Sequence, residues 1–175
     1  MENNNQKFFM DIAIEEAKIA GLNGEVPIGA VTVMNNEVIA KSGNKMQNLN
    51  NPLMHAEIIV LNETSEFLIN KGISIRHAKV DLFTTLEPCT MCAYAISLCR
   101  IRNLYYAADD PKGGGVSFGS KVFEQDTCHH KPNIYRGLNR KISENLLKEF
   151  FKVLRKKFLI LLFSNIFSIK SFLPF

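Results

Sequence analysis

The chain has 175 residues, of which 46% are hydrophobic and 22% are charged. This length and balance predict a single globular domain with its own core and leave little room for a second domain. Its four cysteines are unevenly spaced, which excludes the disulfide framework of a small secreted protein. Residues 1–9 contain no apolar run long enough for a signal peptide, so we expect a cytoplasmic protein.

The formal net charge of +4 is unevenly distributed along the chain. Residues 1–130 carry 11 Lys and Arg against 15 Asp and Glu, whereas residues 131–157 carry nine against two. A basic segment on an otherwise acidic chain indicates either contact with a polyanion or a solvated helix face. Charge alone leaves both interpretations open.

Hydrophobic periodicity and turn residues predict helices that alternate with strands. In chain order we expect a helix over 6–24, a hairpin over 28–44 turning at Asn35-Asn36, a helix from about His55 to 68, a strand over 79–87, a helix over 90–101, a strand over 103–108 and a basic amphipathic helix over about 143–157 with Ser143 as its N-cap. This order predicts an α/β domain built as a sandwich around one sheet, and we assign residues 1–157 to it.

The C-terminal tail, residues 158–175, is almost wholly apolar but is interrupted by Ser, Asn and Lys170. It is short for a membrane-spanning helix and polar at the wrong places, so we expect no stable membrane insertion. A packed or partner-binding tail, a membrane-surface segment and a non-native extension all remain open, and its role is unknown.

Cys89 and Cys92 form a Cys-x-x-Cys pair preceded by Pro88. A redox pair is typical of a thioredoxin-like βαβ unit, which the remaining order of elements does not favour. A structural zinc site needs a second ligand pair, and the other two cysteines, Cys99 and Cys128, are isolated. Cys128 is followed by two histidines, but adjacent side chains diverge, so we interpret that segment as a polar loop.

A catalytic zinc site needs only three protein ligands, one open position and a nearby acid/base group. The segment His55-Ala-Glu57 supplies an imidazole and a carboxylate in what we expect to be the first turn of a helix. Cys89 and Cys92 would supply two thiolates near the N-terminus of the next helix, whose dipole stabilises negative charge. The residues therefore predict zinc held by His55, Cys89 and Cys92, with Glu57 as the acid/base group.

His-x-Glu followed by Pro-Cys-x-x-Cys is the signature of zinc nucleobase deaminases. The chain further resembles the bacterial tRNA-specific adenosine deaminase family, enzymes that make inosine at the wobble position of an anticodon. The matching segments are EVPIGAV at 25–31, Asn44, HAEI at 55–58, LEPCTMCA at 86–93, RI at 100–101, Asp110-Pro-Lys-Gly at 110–113 and LLKEFFKVLRKK at 146–157.

This resemblance implies a cytidine-deaminase-like three-layer α/β/α sandwich around a mixed five-stranded sheet. It also implies a homodimer, one Zn²⁺ per subunit and hydrolysis of adenosine 34 of tRNA to inosine 34 with release of ammonia. By the same resemblance Glu57 is the proton shuttle. The residues implied to contact the substrate are Asn44 through its side-chain amide, Ala56 and Pro88 through their backbones, and Asp110 and Lys112.

The resemblance gives the basic helix a role in binding the anticodon stem-loop, because phosphate contacts supply affinity without reading bases. We expect the RNA backbone contacts at Lys148, Lys152, Arg155 and Lys156. The neighbouring aromatic pair, Phe150 and Phe151, is expected to pack in the core.

Two departures from the family pattern concern the substrate pocket. Tyr94 stands where the family has a small residue, and residues 113–130 form a longer loop than its usual counterpart. A deaminase of free guanine or cytosine therefore remains an alternative. A catalytically silent zinc or RNA-binding partner subunit is a further alternative, although such subunits usually lack the glutamate that is present here as Glu57.

Overall fold

The computed structural model describes residues 4–158 in full and residues 159–170 as helical backbone. Its main elements, in chain order, are α1 (Asn4–Leu22), β1 (Gly29–Met34), β2 (Glu37–Gly43), α2 (Ala56–Ile69), β3 (Asp81–Leu86), α3 (Thr90–Cys99), β4 (Asn103–Ala108), β5 (Asn133–Arg136) and α4 (Arg140–Lys170). The predicted hairpin is confirmed: Asn35 and Asn36 both take positive φ, 53° and 63°, as a tight two-residue turn requires.

The five strands form one mixed sheet in the order β2-β1-β3-β4-β5. β1 is antiparallel to β2 and β3, whereas β3, β4 and β5 are mutually parallel. The α/β fold class and the mixed five-stranded sheet expected from the sequence are confirmed. The parallel strand ends bring the segments after β3 and β4 to one edge of the sheet, where ligand sites of α/β proteins commonly lie.

Helices pack on both faces of the sheet and form the two outer layers of the sandwich. On one face, Val31 and Phe83 pack with Phe9 of α1. On the other face, Leu82 and Leu104 belong to a core cluster that includes buried residues of α2 and α3. Neighbouring residues of a strand point to opposite faces, so the apolar runs of β1 and β3 fill both cores.

The start of α4 differs from the prediction. The helix begins at Arg140, and Ser143 lies inside its first turn rather than at its N-cap. Ser143 is buried, and its hydroxyl donates a hydrogen bond to the backbone carbonyl of Thr85. Because a buried hydroxyl needs a partner, this long-range bond satisfies Ser143 without a capping role.

Strand β5 was not located from the sequence. Its four residues include one partly buried hydrophobic side chain, Ile134, and three exposed side chains, so the apolar alternation is too weak to predict a strand. Its pairing with β4 supplies the fifth strand.

The second half of α4 also departs from expectation. The helix continues to Lys170, and residues 151–158 are all exposed, including Phe151 at 42%. The core placement predicted for Phe151 is therefore wrong, because its side chain lines a surface groove and not a closed core. The apolar tail predicted over 158–175 lies largely outside the described residues, because the side chains after residue 158 and all of residues 171–175 are not described. Over the described residues, no helix has the length and apolar content needed to span a bilayer.

Candidate active site

His55, Cys89 and Cys92 come together at the N-termini of α2 and α3. The His55 Nδ1 atom lies 3.7 Å from the Cys89 Sγ atom and 3.6 Å from the Cys92 Sγ atom. A tetrahedral zinc ion with ordinary Zn–N and Zn–S bonds places such nitrogen and sulfur atoms about 3.6 Å apart. The donor set and its spacing therefore fit zinc. In the described part of the chain, no other group of three His, Cys, Asp or Glu side chains is close enough to hold a metal.

The helix termini explain how these side chains converge. His55 and Cys89 are the N-cap residues of α2 and α3, with extended backbones at φ −71° and −66°, and Cys92 lies one helical turn after Cys89. Neither N-cap side chain bonds its own helix, so both remain free to act as ligands. The first turn of a helix also presents unpaired N–H groups and a positive dipole end, which favour thiolate charge.

The acidities of the two thiols differ in the absence of metal. A hydrogen bond from Cys92, and a second from His55, lower the pKa of Cys89 to about 4. The same contact with Cys89, together with burial, raises the pKa of Cys92. The hydrogen bond with Cys89 raises the pKa of His55. The Cys89 thiolate, the Cys92 thiol and the His55 imidazole together form a donor set from which a metal cation can displace the remaining protons when it binds.

Glu57 lies in the first turn of α2, two residues after His55, and is 3% exposed. Burial, with a smaller contribution from the Cys89 charge, raises the pKa of its carboxyl to about 7. A carboxyl group with a pKa near neutrality exists in both protonation states at working pH, which suits a group that must accept and donate protons. The predicted acid/base residue thus stands beside the predicted ligand cluster.

Asn44 follows β2 and is buried beside the start of α2. Its side-chain Oδ1 accepts a hydrogen bond of 2.9 Å from the Ala56 backbone N–H. This bond engages the Ala56 N–H that the resemblance implies to contact the substrate, and it fixes the orientation of the Asn44 amide. The Nδ2 donors of Asn44 are left for other partners.

Pro88 also has a backbone partner. Its carbonyl accepts a hydrogen bond of 2.8 Å from the N–H of Gly115, in the loop that follows β4. A carbonyl oxygen has a second lone pair, so the predicted contact between Pro88 and a departing amine remains available.

A groove of about 650 Å³ lies at the C-terminal end of β3, where Leu86 is one of its lining residues. Asp110 and Lys112 line it on one side, and Phe151 and Arg155 of α4 line it on the other. The Oδ1 atom of Asp110 accepts hydrogen bonds from the Lys112 and Gly113 N–H groups, both 3.1 Å long, which close a local turn. The structure therefore places Asp110, Lys112 and Arg155 around one groove, although they are far apart in sequence.

The other predicted RNA-contacting residues lie on exposed turns of α4. Lys148 and Lys152 pair with glutamates on their own helix, at 3.3 Å to Glu144 and 3.6 Å to Glu149, and Lys156 is exposed. Exposed pairs of this kind are weak and exchange readily with other anions.

Three features around the site were missed or remain undecided from the sequence. Phe151 was expected in the core and instead lines the groove. Tyr94, which stands where the family has a small residue, is 39% exposed, and its ring packs edge-on against His129 with centroids 6.1 Å apart. The third feature is Glu87, which is buried and was missed from the sequence. The one signal that could have identified it is the presence of an acidic residue directly before Pro88.

Comparison with known proteins gives consistent matches over this domain. The family model described as MafB19-like deaminase matches residues 3–155. The tRNA-specific adenosine deaminase of Agrobacterium fabrum is 51% identical over 144 residues, which cover 82% of this chain and 92% of that protein. The enzyme of the same name from Bacillus subtilis is 37% identical over 151 residues, covering 86% and 91%.

Solved structures agree with these relatives. A chain from a study of A-to-I editing by tRNA:A34 deaminases at the wobble position of transfer RNA is 51% identical, with a TM-score of 0.76, and the match covers 80% of this chain and 99% of that one. A guanine deaminase from Nitrosomonas europaea has a TM-score of 0.65 at 20% identity, covering 82% and 83%, and shares the fold. These matches, together with the motifs and the geometry of the site, show that the chain belongs to the tRNA-specific adenosine deaminase family, which has the fold of the zinc nucleobase deaminases.

Proposed function

We propose that this protein hydrolyses adenosine 34 of tRNA to inosine 34, with release of ammonia. The observation that carries the proposal is the His55, Cys89 and Cys92 cluster with buried Glu57 beside it. Identity of 51% to a relative named tRNA-specific adenosine deaminase supports the substrate assignment. A tRNA substrate would place the protein in the cytoplasm.

His55, Cys89 and Cys92 would hold one Zn²⁺ per subunit, and zinc would supply the acidification of water that hydrolytic deamination needs. Glu57 would accept the proton that the attacking water loses and deliver it to N1 of adenine. Glu57 would then accept the proton of the hydroxyl group newly formed on C6 and donate it to the departing amino group, leaving the C6 carbonyl of inosine. Adenosine and water thereby become inosine and ammonia, and the glutamate returns to its starting state.

The groups around the cluster would orient the flipped base. Asn44, held through its Oδ1 by the Ala56 N–H, would offer its Nδ2 donors to the base. The Pro88 carbonyl would accept from the departing amine through its free lone pair. A base held in this way would meet Glu57 in a fixed orientation.

The RNA around the flipped nucleotide would lie in the groove and along α4. Asp110 and Lys112 would contact flanking nucleotides, while Lys148, Lys152, Arg155 and Lys156 would contact phosphates. We assign residues 1–157 to the deaminase domain, with the basic part of α4 over about 143–157, and leave the role of 158–175 open. By family likeness we expect a homodimer.

The proposal is tested by incubating zinc-loaded protein with an anticodon stem-loop RNA whose wobble base is adenosine. We expect inosine at that position, detected by nucleoside analysis after digestion, and no ammonia from free guanine or cytosine. Ammonia release from a free base without inosine in the stem-loop would reassign the protein to free-base deamination. A stem-loop with guanosine at the wobble position is the matched control.

A further inference from the structure

Glu87 is a buried carboxylate, 2% exposed, that the proposed chemistry does not use. It lies between β3 and Pro88, and both of its oxygens accept backbone N–H groups. Oε1 accepts from the three consecutive residues Val116, Ser117 and Phe118, at 3.1, 2.7 and 3.1 Å. Oε2 accepts from Asp110, at 3.1 Å. Four donors on one buried charge make a fully compensated anion site built from a single loop.

The loop after β4 closes around this carboxylate. A Cβ atom added at Gly114 would lie 2.6 Å from the Glu87 Cδ and Oε1 atoms, so only glycine fits there. Gly114 also pairs with Cys89 in an isolated β-bridge, and the next residue, Gly115, donates to the Pro88 carbonyl at 2.8 Å. Glu87 is thus the centre of a connection between the cysteine-bearing segment and the loop over 110–118.

We propose that Glu87 is a positioning residue that fixes the loop over 110–118, and with it Asp110 and Lys112, for substrate binding. The part of this inference that concerns substrate rests on the proposed function. The Asp110 N–H is held by Glu87 Oε2, and the Asp110 side chain then closes the turn that carries Lys112 into the groove. Releasing the Asp110 backbone would therefore loosen the groove wall without removing any group that touches the reacting atoms.

The three-to-one division of donors makes Glu87→Gln a selective perturbation. A glutamine has the same shape but only one acceptor oxygen. The three N–H groups of Val116, Ser117 and Phe118 favour the orientation that points this oxygen toward them. Its amide nitrogen would then face the Asp110 N–H, placing donor against donor. We expect amide hydrogen exchange at Asp110 to accelerate about 10- to 100-fold, and exchange at Val116, Ser117 and Phe118 to change less.

The experiment compares zinc-loaded wild type, Glu87→Gln and the matched control Glu25→Gln. Glu25 is also 2% exposed, but it accepts from one amide outside the loop, the Asn48 N–H at 2.8 Å. Exchange is read residue by residue, and kinetics are measured on the stem-loop per bound zinc. For Glu87→Gln we expect KM to rise about tenfold with kcat changed less than about threefold, because substrate positioning is lost rather than acid/base chemistry.

Unchanged exchange at Asp110 in Glu87→Gln, or an equal acceleration in Glu25→Gln, would overturn the inference. So would an unchanged KM in a variant that is only less stable, since that is the result of a purely structural role. If Glu87→Gln fails to fold, Glu87→Asp replaces it. This variant keeps the charge on a shorter side chain, so we expect amide exchange at Asp110 to be faster than in wild type, and exchange at the wild-type rate would count against the inference. A wild-type protein inactive on the stem-loop refutes the proposed function, while exchange at Asp110 still decides the role of Glu87.

Discussion

Replacing Glu57 with glutamine is expected to abolish most turnover while leaving the zinc ligands in place. The substitution keeps the shape of a side chain that is 3% exposed in the first turn of α2. It removes the only group of the site that we assign to proton transfer. His55 and the two cysteines are unaltered, so metal content should stay near one zinc per chain.

The expected magnitude follows from the surroundings of Glu57. Positioned general acid–base catalysis contributes about 10²- to 10⁴-fold, or roughly 3–5.5 kcal/mol of transition-state stabilisation. Among the described residues, the other buried glutamates are Glu25 and Glu87, and backbone N–H groups already engage both of them. Because Glu57 would act as both base and acid, we expect a loss near the upper end, about 10³- to 10⁴-fold in kcat.

The assay measures single-turnover inosine formation in the stem-loop across pH. The pKa of Glu57, raised to about 7 by burial in the metal-free protein, would be lowered by a bound cation. The base must be ionised, so wild-type activity should fall as pH drops through a midpoint at or below about 7, and Glu57→Gln should lack this limb. Glu63→Gln, at an exposed position of the same helix, is the control. A zinc-loaded Glu57→Gln protein within about tenfold of wild-type kcat would refute the reasoning.

Three further outcomes are expected. Cys92→Ser should bind less than one zinc per chain and melt at a lower temperature, as should wild type treated with a chelator, because metal binding is linked to folding; full zinc occupancy would contradict the ligand assignment. Asn44→Ala leaves the buried Ala56 N–H without its acceptor and should lower the free energy of unfolding, measured with denaturant, by about 1–3 kcal/mol; an unchanged free energy of unfolding would contradict this. Lys152→Ala should reduce the slope of log affinity against log salt for the stem-loop by about 0.7–0.9, whereas Lys71→Ala, beside α2, should not; equal slopes would remove α4 from the RNA interface.

Much of the site could be predicted because its signals are local. Each half of the cluster is a short motif at the start of a helix, so spacing and helix geometry suffice to aim His55, Cys89 and Cys92 inward. The hairpin was equally local, since two asparagines that tolerate positive φ specify the turn. The sheet needed the family resemblance, because the short strand β5 carries little apolar pattern of its own.

The errors fall where distant segments decide the outcome. Ser143 looked like an N-cap, but burial against β3 gives its hydroxyl a partner 58 residues away. Phe151 looked like a core residue, but its side chain lines a surface groove and is 42% exposed. Hydrophobic periodicity predicts which face of a helix is apolar, but it does not predict how far along the helix the neighbouring elements cover that face.

The sequence by itself determined which residues cluster at the proposed site, namely His55, Cys89 and Cys92 with Glu57 beside them, and the α/β framework that carries them. Only the tertiary structure decided how the surrounding groups are engaged, such as the pairing of Asn44 with Ala56 and the four amides gathered on Glu87. The physical reason is that a motif encodes its own geometry through a few adjacent dihedral angles. These hydrogen bonds join residues 12 to 31 positions apart, so they exist only once the tertiary fold has assembled.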